Sequence, residues 1–173
     1  PLSLVGSEMC IRDRNTIERV WERHFLDSAQ LYNITKEIDG NIIDFGSGAG
    51  FPGLILAMMG NKKIHLVESD QKKCTFLREV SMLSETNVTI HHNRIENLEY
   101  FDVELITARA LAPLNKLIDY AEAFTKNSST DQKFPKLLFL KGKSYKKEIS
   151  KLTKRKSFSI KEFESITDKF SRI

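Results

Sequence analysis

The chain has 173 residues, 40% apolar and 29% charged, with eight glycines and four prolines, which fits one globular domain and excludes collagen-like, low-complexity and disordered classes. No apolar run approaches the ~20 residues of a membrane-spanning helix; two cysteines, Cys10 and Cys74, with no visible signal peptide, point to a reducing cytoplasm rather than a disulfide framework. The formal charge of +4 is unevenly spread: residues 136–173 carry 12 basic and 4 acidic side chains, a surplus of 8, and the remaining 135 carry 15 and 19, a deficit of 4.

Residues 1–14 show no sustained period. From Asn15, the residues Ile17, Val20, Trp21, His24, Phe25, Ser28 and Leu31 recur at helical spacing, which predicts one amphipathic helix ending near Asn33. After the loop TKEIDG comes a short apolar strand, NIIDF, and then the cluster GSGAGFPG. PGLILAMM reads as a helix with Pro52 in its first turn, where a missing N–H costs nothing. The strand KIHLVE follows, then a helix over 71–84 with Phe76, Leu77, Val80 and Leu83 inward. Next come the strands VTIHH and VELITA, the helix PLNKLIDYAEAF, a polar loop TKNSSTDQKF and the strand KLLFL. His91 and His92, at the end of VTIHH, read as surface residues. SFSIKEFESI and KFSRI read as two strands joined through Thr167 and Asp168. Strands alternating with helices predict a doubly wound α/β domain, its sheet mostly parallel with a terminal antiparallel pair.

The strongest motif is IIDFGSGAGFPG, residues 42–53. Glycines between a strand and a helix allow a tight turn and a close approach to a ligand. A dinucleotide fingerprint would need glycine at position 51, where Phe51 stands, and a P-loop would need a terminal Lys-Ser/Thr. Glu68, at the end of the second strand, can accept hydrogen bonds from both hydroxyls of a ribose. Asp44, on the first strand, either orients the loop or accepts from a ligand ammonium. A glycine loop without a phosphate partner, beside an acidic ribose clamp, suits S-adenosyl-L-methionine; taken alone, the G-x-G-x-G run also suits an ordinary tight turn. Neither a cysteine pair nor His-x-x-x-His is present, so no metal site is expected.

WERHFLDS (21–28), IIDFGSGAGFPGLILA (42–57), HLVESDQKKCTFL (65–77), NRIENL (93–98), ITARALAPL (106–114) and LFLKGKS (138–144) follow one another in an order that resembles the RsmG family, also called glucose-inhibited division protein B. These are bacterial methyltransferases acting on guanine N7 of 16S ribosomal RNA in the small ribosomal subunit. The resemblance covers residues 15–173 and implies a class I S-adenosylmethionine-dependent methyltransferase fold (Rossmann-like), including the N-terminal helix. It also implies ribosomal RNA as partner and a monomer as the family-like state. With Gly48 from the loop, it puts the cofactor contacts on Gly46, Phe51, Glu68, Ile95, Glu96 and Arg109, and it makes Lys141, Lys143, Arg23 and His24 candidate RNA contacts.

Read as residues, several of these have a second explanation. Ile95 suits core packing. Arg109 suits a surface ion pair as well as a bidentate fork on a carboxylate or phosphate. His24 lies on the apolar face and reads as a satisfied core histidine, and Arg23 and Asp27 are spaced to pair on the helix surface. The lysines at 141, 143, 146 and 147 suit either RNA phosphates or a solvated face, and Tyr145 reads as an exposed aromatic that could stack on a base. Residues 1–14 are not part of the resemblance, and the final strand is shorter than in the family; both leave room for a catalytically impaired RNA-binding remnant. An NAD-dependent oxidoreductase is the other alternative, against which Phe51 speaks. Guanine N7 carries a lone pair and no proton, so the implied reaction needs no general base, and its rate would come from alignment.

Overall fold

The computed structural model describes residues 20–126, 133–152, 159–168 and 171–173. A π-helical turn, Trp21–Leu26, leads into α1 (Asp27–Ala29) and then α2 (Tyr32–Thr35). The series continues as β1 (Ile42–Phe45), α3 (Gly53–Met58), β2 (Ile64–Glu68), α4 (Gln71–Leu83) and β3 (Val88–His92). A 3-10 turn, Ile95–Asn97, precedes β4 (Leu105–Arg109), α5 (Leu114–Thr125), β5 (Lys136–Leu140) and α6 (Tyr145–Leu152). The five strands are parallel in the order β3-β2-β1-β4-β5. The chain builds outward from β1 in one direction, then jumps back to β4 and builds in the other. That reversal opens a crevice at the carboxyl ends of β1 and β4, where ligands of such folds bind.

Central strands are apolar because both sheet faces are covered. Ile42 points to a core with Leu54, Leu56, Ile64, Leu66, Leu77 and Leu105. Ile43 and Phe45 point to a second core with Val67, Ile106, Leu117, Ala121 and Phe124. Asp44 shares the face of Ile42 and is wholly buried.

Four sequence expectations are corrected here. The first helix is not continuous: the wide π-helical turn upsets the 3.6-residue period, leaving Trp21 71% exposed while Ser28 and Leu31 are fully buried. Leu83 is exposed in the last turn of α4, which packs through Cys74 and Leu77. His91 is half-buried, with its ring stacked on His65 and Phe101. Tyr145 is buried at the start of α6, a helix the sequence reading lacked, and Arg172 lies over its ring. Among the described residues, the terminal antiparallel pair takes the form of isolated bridges, Glu164 to Arg172 and Arg172 to Lys141 just past β5. Residues 1–14, much of TKNSSTDQKF and part of SFSIKEFESI lie outside the described residues. No described helix is long and apolar enough to cross a membrane.

Candidate active site

The glycine loop leaves β1 at Gly46, where φ is +69°, and Gly48 follows at +57°; both lie in the left-handed region that favours glycine. A Cβ on Gly46 would come within 2.6 Å of the Leu111 side chain, whereas one on Gly48 would meet nothing nearer than Gly46 O at 3.8 Å. The loop's own donors are largely spent. Ser47 N–H donates to Val67 O, Gly50 N–H to Ser47 O, and Gly48 N–H to Glu68 Oε2 at 3.0 Å. At the head of α3, Gly53 N–H donates to Asp44 Oδ2 and Leu54 N–H to Gly50 O.

Glu68 sits 7% exposed at the end of β2. Its Oε1 accepts from Asp70 N–H at 2.8 Å, its Oε2 takes Gly48 N–H, and Lys73 Nζ lies 3.9 Å away. One carboxylate thus joins the first and second strand-to-helix loops while keeping lone pairs for a ligand. Asp44 orients the loop and does not reach the cleft: Thr107 Oγ1 donates to its Oδ1 at 3.1 Å. Burial pushes its pKa up to about 6, against the donors from Gly53 and Thr107.

These elements wall a cleft of about 800 Å³ lined by Gly46, Gly48, Phe51, Glu68, Ile95, Glu96 and Arg109, with His24, Ser69, Asp70, Asn93, Leu111 and Tyr120 among the others. All seven expected cofactor contacts therefore come together. Ile95 does both things considered for it, being 8% exposed in the second core and facing the cleft. Ser69 and Asn93 stand within the motifs HLVESDQKKCTFL and NRIENL but were not singled out, and Tyr120 carried no sequence signal, because only the crossing of separate loops brings them to the cleft.

Arg109 ends β4 and is not a surface ion pair. Its Nη2 donates to Arg23 O at 2.7 Å and to His24 Nδ1, its Nε faces Asp27 Oδ2 at 4.0 Å, and its guanidinium lies 5.6 Å from the Phe51 ring centroid. His24 rests 5.4 Å from Phe51, and Phe25 meets Phe51 edge-on at 5.1 Å. Burial, reinforced by the charge on Arg109, lowers the His24 pKa to about 4. The imidazole is thus neutral near pH 7, and with Nδ1 accepting, Nε2 carries the proton. That Nε2 is buried and, among the described residues, without a hydrogen-bond partner, so there His24 is not the satisfied core histidine that its apolar face suggested.

A second cleft, of about 620 Å³, adjoins the first and shares His24, Arg109 and Ala110 with it. Arg23, Lys141, Lys143, Ser144, Thr167 and Arg172 line it, so the four expected RNA contacts also converge. Lys141 is held inward: its Nζ meets Glu148 Oε2 at 2.7 Å and Ala112 O at 3.1 Å. Glu148 Oε2 also accepts Leu114 N–H at 2.7 Å, fixing the head of α5. Lys143 is exposed at the rim. The sequence reading had no means of finding Glu148, since α6 itself was unseen.

A family model described as rRNA small subunit methyltransferase G matches residues 2–172. The chain belongs to that family. The rRNA small subunit methyltransferase G match takes in residues 2–14, which the motif resemblance left out. The protein named ribosomal RNA small subunit methyltransferase G from Paramagnetospirillum magneticum is 42% identical, over 96% of this chain and 75% of its own length. Its namesake from Rickettsia prowazekii is also 42% identical, over 88% of this chain and 76% of its own. Among solved structures, magnesium protoporphyrin IX methyltransferase from Synechocystis, determined with bound SAM, superposes at a TM-score of 0.61, with 13% identity over 97% of this chain and 77% of its own. Ribosomal protein L11 methylase from Lactobacillus delbrueckii gives 0.60, with 15% identity over 81% and 72%. At such identities the likeness is one of fold, the Rossmann-like fold of methyltransferases.

Proposed function

We propose that the chain transfers a methyl group from S-adenosyl-L-methionine to N7 of a guanine in 16S ribosomal RNA of the small ribosomal subunit. The observation that carries this reading is the pair of adjoining clefts meeting at His24 and Arg109, one holding Glu68 and the other lined by Arg23, Lys143 and Arg172 alongside Asp27 and Asp168, with Lys141 paired to Glu148. Family membership supports the methyltransferase assignment and the ribosomal RNA class; the choice of guanine N7 follows from the resemblance in the motifs. Residues 15–173 act on this reading as one methyltransferase domain, and the monomer remains what the family resemblance implies.

The first cleft fits the cofactor on the chemistry of its donors. A dinucleotide needs free loop N–H groups for its pyrophosphate, but those of Ser47, Gly48, Gly50 and Gly53 are occupied, and Glu68 would repel phosphate. The same Glu68 suits ribose hydroxyls, Ile95 suits an apolar adenine face, and Arg109 suits the amino-acid carboxylate. When bound, the cofactor supplies an electrophilic sulfonium methyl group.

Guanine N7 has an in-plane lone pair and no proton to lose, so the chain need provide no base. His24 agrees with this, since its Nδ1 lone pair is taken by Arg109. The work of the protein is then alignment: His24, Arg109 and Ala110 form a wall common to both clefts, with Phe51 against His24 and Arg109 on the side of the first, and set how the two ligands face each other. Arg23, Lys143 and Arg172 in the second cleft hold RNA phosphates without reading sequence.

The test is transfer of labelled methyl to undermethylated small subunits, followed by nucleoside analysis. Label in 7-methylguanosine is expected. Label in another nucleoside overturns the N7 assignment; no transfer, with S-adenosylhomocysteine bound, favours an RNA-binding remnant; and neither transfer nor binding overturns the cofactor assignment.

A further inference from the structure

Asp27 stands where three separate parts of the chain meet. It opens α1, 16% exposed at its side chain, and its two carboxylate oxygens face different ways. Oδ1 accepts three donors: Gln30 Nε2 at 2.7 Å, Thr167 Oγ1 at 2.8 Å and Ser165 Oγ at 3.1 Å. Oδ2 faces the Nε of Arg109 at 4.0 Å.

The turn at 165–168 depends on the first set of contacts. Gln30, oriented by Asp27, accepts Ile166 N–H on its Oε1 at 3.0 Å. Ser165 Oγ accepts the N–H groups of Thr167 and Asp168 at 3.2 and 3.3 Å. Thr167 and Asp168 line the second cleft opposite Lys143 and Ser144. The segment has little apolar burial to hold it, since Ile166 is 67% exposed. Its attachment to the N-terminal helix therefore rests on polar contacts, those of one Asp27 oxygen and those of Gln30, which Asp27 orients.

Resting on the reading of the second cleft as the RNA site, we propose that Asp27 is a positioning residue for RNA: it sets the 165–168 wall with one oxygen and the Arg109 guanidinium with the other. Cofactor binding, anchored by Glu68 and the glycine loop, depends on it far less. The i,i+4 pairing of Asp27 with Arg23, which spacing alone suggested, is replaced by these longer-range contacts.

Two substitutions separate the two oxygens. Asp27→Ala removes both. Asp27→Asn keeps a carbonyl oxygen for the three donors but sets an amide N–H₂ before the Arg109 guanidinium, donor against donor. The experiment measures methyl transfer against small-subunit concentration, S-adenosylhomocysteine affinity by calorimetry, and amide exchange at 166–168. For Asp27→Ala we expect a KM for the subunit raised about tenfold, cofactor affinity within about threefold of wild type, and exchange at 166–168 accelerated about tenfold or more, as befits loss of hydrogen bonds to a charged group. Asp27→Asn should restore slow exchange without restoring KM. A merely structural aspartate would recover both together, and that result overturns the proposal. Unchanged exchange or unchanged KM in Asp27→Ala overturns it equally. Failure of the underlying functional reading is distinguishable, because it shows as a wild-type chain without methyl transfer, while exchange still decides whether Asp27 holds the segment.

Discussion

Glu68 shows how much one side chain can do in this molecule. Its two oxygens each accept a backbone N–H, from Gly48 and from Asp70. Glu68→Gln turns one acceptor into a donor pointing at an N–H, so the loop and the ribose clamp fail together. S-adenosylhomocysteine affinity should fall tenfold to a hundredfold in calorimetry, in line with about 1.5–3 kcal/mol for hydrogen bonds to a charged group; wild-type affinity would contradict the assignment. Position and acidity made Glu68 legible in the sequence, since a carboxylate at the end of a second strand has a narrow set of uses. Lys141 was harder to read. Its charge was visible, but Glu148, which turns it from a free cation into the fastening of α5, lies in a helix whose three apolar residues, Tyr145, Ile149 and Leu152, sit among lysines.

At the level of elements, the β1–loop–α3 unit holds because glycine at 53 lets the helix lie directly on the strand. A Cβ there would approach Leu66 Cδ2 to 2.5 Å and Asp44 Cβ to 2.8 Å. Gly53→Ala should therefore lower the unfolding free energy by about 1–3 kcal/mol, the usual cost of overpacking, measured by urea denaturation. A stabilised variant would show that α3 has room to move. The strands and α5 were legible because apolar runs bounded by polar turns have few readings in an alternating chain. The π-helical turn at Trp21–Leu26 was not, because its wider winding leaves the apolar residues at spacings that an α-helix also produces.

The whole molecule carries a pH dependence set by histidines that fold neutral. Burial lowers His24 and His65 to about 4, and lowers His91 as well. His65 Nε2 faces Asn41 Oδ1 at 3.3 Å and its Nδ1 faces His91 Nε2 at 3.0 Å, so both nitrogens of the neutral His65 ring are engaged. Between pH 6.5 and 4 the unfolded chain binds more protons at these groups than the folded chain, so stability falls as pH falls. Asp44, raised to about 6, acts in the opposite direction between 3.8 and 6. Three groups against one give a Tm that declines from pH 7 to pH 5, readable by circular dichroism; a flat or rising Tm would contradict the burial of these rings as neutral groups. Fold class was thus legible from local patterns, and with it the meeting of the glycine loop and Glu68. The meeting of the two clefts was not, because Arg23 and Arg109 are brought together across 86 positions by β4 and the N-terminal helix.

The glycine loop closes its hydrogen bonds on itself and on Glu68. Such a loop is already in its ligand-bearing shape, so the entry of a nucleoside carries little ordering entropy and its departure leaves no segment to refold. The opposite holds across Arg109, where the 165–168 turn hangs from Asp27 and Gln30 by polar contacts. The protein is preorganised on one side and pliant on the other. On the proposed function, tempo is then expected to be set where the large substrate must be seated and let go, with the small one exchanging behind it.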